Sequence, residues 1–82
     1  MSKIDKLERR FLSIPSDFQW SELVTLLKGY GYEEKNAQGS RRAFVKKNKK
    51  IFLHEPHPDK TLCRQAIRQI IVTLESHGIK LR

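Results

Sequence analysis

The sequence holds a single cysteine, Cys63, so neither an internal disulfide nor a thiolate metal cluster can form. That usage fits a reducing compartment, and its neighbours place Cys63 on a packed helix. Long hydrophobic runs are also missing. Ile70, Ile71 and Val72 make the longest uninterrupted aliphatic stretch, far short of a signal-peptide core or a membrane span. A soluble, cytoplasmic protein with no membrane association is expected. There is no glycine-rich phosphate loop with its Lys-Ser/Thr, no H-E-x-x-H and no carboxylate cluster for magnesium. Glu55 and Asp59 with His57 supply two acids in basic surroundings, a poor cage for a divalent ion. No metal and no small-molecule cofactor is therefore expected. Acidic residues are absent altogether between Glu34 and Glu55, an interval that holds Lys35, Arg41, Arg42, Lys46, Lys47, Lys49 and Lys50.

The 82 residues suit one domain, 1–82, with one modest core. A chain this short buries only about 60–65% of the surface it exposes when unfolded, which leaves no room for a deep catalytic cavity. Any site should lie on an open face, as suits a polymeric substrate. Seventeen Lys and Arg against nine Asp and Glu give a net charge of +8, which favours a polyanionic partner. The alternative for a charge run is a solvated surface; concentration on one hairpin favours nucleic acid.

Ile4, Leu7 and Phe11 have helical spacing within residues 3–12, predicting a short, frayed leading helix that stops before Pro15. Ser16 and Asp17 are turn and capping types. Trp20, Leu23, Val24 and Leu27 then recur as one apolar stripe of a helix ending near Lys28 to Tyr30, with Gly29 and Gly31 able to take the left-handed conformation. Strands are expected over 32–35, 41–46 and 51–54. The last two join through a Lys47, Asn48, Lys49 turn in which Asn48 tolerates positive φ. Pro56 and Pro58 end the ladder. From Leu62, the series Leu62, Ala66, Ile67, Ile70, Ile71 and Leu74 predicts a closing helix that Gly78 terminates. The fold class is α+β, with helices on one face of a three-stranded antiparallel sheet and the other face open.

Side chains alternate along a strand. If the small aliphatics Ala43, Val45, Ile51 and Leu53 lie under the helices, then Arg42, Phe44, Phe52 and His54 share the open face. Two aromatics among cations form a platform on which bases stack while phosphates are neutralised. The alternative is the reverse register, with the phenylalanines in the core. A histidine among cations is held towards its neutral form. Such an imidazole can take the proton of an RNA 2′-OH, whose oxygen attacks the adjacent phosphorus while Lys or Arg stabilises the phosphoryl charge. His54 and His57 can divide the base and acid roles; an ordinary surface histidine is the alternative for each. His77, beside Gly78, reads as a favourable cation at a helix C-terminus.

The residues Trp20, Glu22, Leu23, Leu26, Leu27, Gly31 and Tyr32, the stretch Gly39, Ser40 and Phe44, and the run Leu53 to Pro58 (L-H-E-P-H-P) together resemble the HicA toxins of toxin-antitoxin modules. The similarity runs from about Phe18 to Leu81 and leaves residues 1–15 outside it. It implies a double-stranded-RNA-binding-domain-like fold, ribonuclease activity on mRNA, and neutralisation by a HicB-type antitoxin; with the histidine chemistry above, a metal-independent endoribonuclease is expected. The family's usual pattern reads G-S-H-x-x-F, with the histidine assigned to catalysis; here that position is Arg41. Either His54 and His57 of the L-H-E-P-H-P run supply acid and base, with Arg41 holding phosphate, which is the favoured reading, or the nuclease activity is weak or absent. RNA contacts fall to Ser40, Arg41, Arg42, Lys46, Lys47, Lys49 and Lys50. The antitoxin is expected to cover the open sheet face. A non-catalytic RNA-binding module and a protein-interaction domain remain as alternatives.

Overall fold

The structure is a computed structural model that describes residues 3–36, 41–56, 60–79 and 81. In chain order it contains α1 (Lys3–Leu12), α2 (Trp20–Gly29), β1 (Glu33–Asn36), β2 (Arg41–Lys46), β3 (Lys49–His54) and α3 (Arg64–Ser76). The strands form one antiparallel sheet in the order β1-β2-β3. This is the expected α+β, double-stranded-RNA-binding-domain-like arrangement, one sheet face carrying the helices. No helix among the described residues is long and apolar enough to cross a membrane.

Helix α2 starts where the Glu22 carboxylate accepts a hydrogen bond from the Gln19 backbone N–H at 3.0 Å, satisfying a donor that the helix itself cannot. Asp17, a capping type, instead pairs with Arg10 at 3.0 Å. The helix ends at Tyr30, and Gly31 turns the chain with φ +100°, a conformation that costs other residues about 1–2 kcal/mol. Its buried set is Trp20, Leu23, Leu26 and Leu27, with Val24 only partly buried. Leu26 joins the core because α2 is covered on a second side by α1.

The leading helix is anchored to the core. Phe11 is fully buried against Phe18, ring centroids 5.2 Å apart. Glu8 is buried and accepts a 2.5 Å hydrogen bond from the Tyr30 hydroxyl. Arg10 bonds Glu22 and Asp17 and lies over the Phe18 ring. Close approach is possible because α2 presents Gly29, where an added Cβ would lie 2.5 Å from Ile4 Cδ1. Gly29 is thus a helical contact point, whereas Gly31 supplies the left-handed turn.

Two short backbone bonds join the entries of α2 and α3: Trp20 N–H to the Lys60 carbonyl at 2.7 Å and Leu62 N–H to the Phe18 carbonyl at 2.8 Å. Helix α3 begins at Arg64, later than its periodicity from Leu62 suggests, with Cys63 exposed as its N-cap residue. It buries Ile67, Ile70 and Leu74 and ends at His77 with Gly78 at φ +85°.

The hairpin departs from the expected facing. Its turn contains two residues, Lys47 and Asn48, and the ladder closes on Lys46 opposite Lys49. Phe44 lies opposite Ile51 and Arg42 opposite Leu53, so these four share the helix-facing side. Phe44 is fully buried, its ring 5.9 Å from that of Trp20. Removing its side chain from water is worth about 1.5–3 kcal/mol, more than Ala43 in its place would supply. The positive φ falls on Lys47 (+54°), and Asn48 does not carry it. That pattern fits a type II′ turn, which places positive φ at the first central residue.

Candidate nucleic-acid interface

On the open face the register sets Arg41 opposite His54, Ala43 opposite Phe52 and Val45 opposite Lys50. From β1, Lys35 stands opposite Ala43 and Glu33 opposite Val45. Directly opposed residues share a face, with Cβ atoms about 4.5–5.5 Å apart. Arg41, Lys50, Phe52, His54 and Lys35 therefore occupy one surface, and all five are exposed. Phe52 retains 51% of its accessible area. The Arg41 guanidinium carbon lies 4.8 Å from the Phe52 ring centroid, a cation–π contact worth about 0.5–1 kcal/mol at an exposed site. The contact holds a fork of donors beside His54 without neutralising its charge.

The other basic positions of the hairpin divide by strand parity. Arg42 turns to the helix side, where its guanidinium pairs with Glu55 at 3.5 Å, and Glu55 also pairs with Lys60 at 3.1 Å. Its expected place on the open face belongs to Arg41. Lys46 lies over the Tyr32 ring at 5.9 Å, and Lys49 donates to the His77 carbonyl. Lys47 is exposed at the turn. The structure thus brings together Arg41 and His54, leaves Lys50 on the same face four residues away along β3, and turns Arg42, Lys46 and Lys49 towards the helices. Ser40 and His57 lie outside the described residues.

Two features escaped the sequence. Lys35 belongs to the open face; its membership of the acid-free interval was the available signal, but its facing needed the β1–β2 register. The second is a groove of about 410 Å³ between β3 and α3, lined by Lys50 to His54 on the strand side and by Ala66, Gln69, Ile70 and Thr73 on the helix side. Nothing in the periodicity of α3 distinguishes a groove wall from ordinary core packing. His54 therefore borders both the open face and this groove.

His77 lies behind the sheet, its Nδ1 2.9 Å from the Tyr32 hydroxyl. It is part of a partly buried polar contact as well as a helix terminus. Burial raises the pKa of the Tyr32 phenol.

Phe52 gives the face an apolar centre bordered by donors of fixed positive charge. An exposed ring beside cations offers a stacking surface and phosphate donors on an open face, chemistry that a flexible polyanion with π-faces can use. Residues 20–79 match the family described as the HicA toxin of bacterial toxin-antitoxin. No curated protein and no solved structure matches the chain. The matched segment contains α2, the whole sheet and α3, and covers well over half of the 82 residues: the chain belongs to the HicA toxin family.

Proposed function

We propose that the chain is an endoribonuclease toxin that cuts mRNA without a metal ion and is neutralised by a HicB-type antitoxin. The observation that carries this reading is the pairing of Arg41 with His54 across the β2–β3 ladder on an open, basic face. One of His54 and His57 removes the proton from a ribose 2′-OH as that oxygen attacks the adjacent phosphorus. The other returns a proton to the departing 5′-oxygen. The products are a 2′,3′-cyclic phosphate and a 5′-hydroxyl. Arg41, with its planar fork of donors, binds the non-bridging oxygens on which charge accumulates, and Lys50, four residues from His54 along β3, extends the basic track. Lys47 extends the phosphate track at the turn, and Ser40 flanks Arg41 in sequence.

Cleavage of a defined RNA by the wild-type, His54→Ala and His57→Ala proteins tests this. Loss of either proton-transfer group should lower the rate by about 10²–10⁴-fold, with the cyclic phosphate as the wild-type product and activity retained in EDTA. Full activity in both single variants and the double variant would remove the site. A second reading is favoured by Arg41 standing where the family pattern has histidine: RNA binding without cleavage. Salt-sensitive binding with no product under any condition would establish it.

A further inference from the structure

Strand β3 is six residues long and ends the sheet. Among the described residues, no backbone hydrogen bond from outside its ladder with β2 reaches it. Because the two-residue turn closes on Lys46 and Lys49, that pair exchanges hydrogen bonds, and bonded and non-bonded pairs alternate from there. Lys49, Ile51 and Leu53 therefore bond to β2. The N–H and C=O groups of Lys50, Phe52 and His54 point outward from the edge. Along that edge runs the groove of about 410 Å³ whose far wall is α3. An open strand edge facing a helix across a partly apolar groove is the geometry in which an extended peptide adds as a further strand. The opposite edge is guarded: β1 has four residues, of which Glu33, Glu34 and Lys35 are charged.

We propose that this groove receives an extended strand of the partner protein in which acidic and apolar residues alternate. Strand parity dictates the pattern. Side chains on one side of the added strand meet the half-buried Leu53 and Ala66 over the buried Ile51 and Ile70, so they are apolar. Those on the other side emerge beside Lys50 on the open face, so they are acidic. An RNA backbone fits the edge less well, because its phosphates accept hydrogen bonds from N–H groups but leave the alternating carbonyls opposed by negative charge. A second copy of this chain would bring another net charge of +8 to the same basic hairpin, which opposes self-pairing. The strand would also lie against His54, which borders the groove, so partner docking and substrate access exclude each other. The proposal rests on the toxin–antitoxin reading for the existence of a partner and is independent of the cleavage chemistry.

The test is backbone amide exchange, read by NMR on the intact ¹⁵N-labelled chain. The probe is a pool of eight-residue peptides alternating Glu with Val, Ile or Thr. Exchange at Lys50, Phe52 and His54 should slow by about ten-fold or more, while Lys49, Ile51 and Leu53, already in the ladder, change little. Resonances of Ala66, Gln69 and Thr73 should shift. Gln69→Trp, at an exposed helix position, fills the groove without opening the core and should abolish this protection at unchanged Tm. Absence of protection with every peptide overturns the proposal, as does protection that persists in Gln69→Trp. Protection without peptide that grows with protein concentration assigns the edge to a second copy. Groove shifts produced by an unpaired oligonucleotide, but not by peptide, assign it to RNA. Because no cleavage is measured, failure here and failure of the ribonuclease reading are distinguishable.

Discussion

Truncating Phe52 to alanine separates a base-stacking platform from a merely structural aromatic. Phe52 retains 51% of its accessible area, whereas Phe44 on the neighbouring strand is fully buried. Buried Phe→Ala changes cost about 3–5 kcal/mol; with half of its surface already in water, Phe52→Ala should cost under about 1.5 kcal/mol. The Arg41 contact contributes about 0.5–1 kcal/mol of that. At about 4–8 °C per kcal/mol for a domain of this size, Phe52→Ala should lower Tm by less than about 12 °C, and Phe44→Ala by far more. Stacking one base is worth about 1–3 kcal/mol, so affinity for an unpaired oligonucleotide should fall by about 5- to 150-fold. Fluorescence anisotropy with a labelled single-stranded RNA, at one fixed salt concentration, measures the loss, and circular dichroism gives the Tm. Affinity within two-fold of wild type, with the fold intact, would refute the stacking role. A Tm drop as large as that of Phe44→Ala would show that Phe52 serves the core.

Arg41→Met should weaken RNA binding and reduce the slope of log K against log salt by about one phosphate contact; an unchanged slope would place the phosphate elsewhere. Burial, followed by the hydrogen bond to Glu8, raises the Tyr30 phenol above its ordinary value of 10.0. The unfolded chain therefore releases this proton first, and the stability linked to it, complete below pH about 10, is lost as pH rises beyond that. Tyr30→Phe should lower neutral-pH stability by about 1.5–3 kcal/mol, the worth of a hydrogen bond to a charged group, and flatten the alkaline decline. Urea melts at pH 7 and pH 11 read both effects, and an unaltered alkaline slope would exclude Tyr30 as its source. Lys47→Gly should raise stability by up to about 1 kcal/mol, since lysine at positive φ costs about 1–2 kcal/mol and glycine returns part of that as chain entropy. A chevron or urea midpoint below wild type would contradict it.

The amphipathic helices were legible because their apolar spacing runs for several turns: Ile67, Ile70 and Leu74 are buried as α3 requires. The sheet was legible in order but not fully in facing. On β3 the alternation gives the facing, with Ile51 inward and Phe52 and His54 outward. On β2 it was inverted, and the cause is a single residue of turn length. A three-residue turn over Lys47 to Lys49 would set Val45 beside Ile51; the two-residue turn sets Phe44 there. Without Asn-Gly or Gly at its centre, the sequence carries no strong signal for the shorter turn. The same shift moved Arg41 beside His54 and sent Arg42 to Glu55. Ion pairs of that kind depend on facing, so no spacing rule reveals them in advance.

Helix α1 has a consequence for where this molecule begins as a physical object. The family match starts at Trp20, yet Phe11 and Phe18 interlock upstream of that point, and Glu8 accepts a hydrogen bond from Tyr30 downstream of it. A fragment trimmed to the matched segment would expose the flank of α2 around Gly29 to solvent and leave the Tyr30 hydroxyl without its Glu8 partner. The unit that melts cooperatively is thus larger than the unit that descent defines.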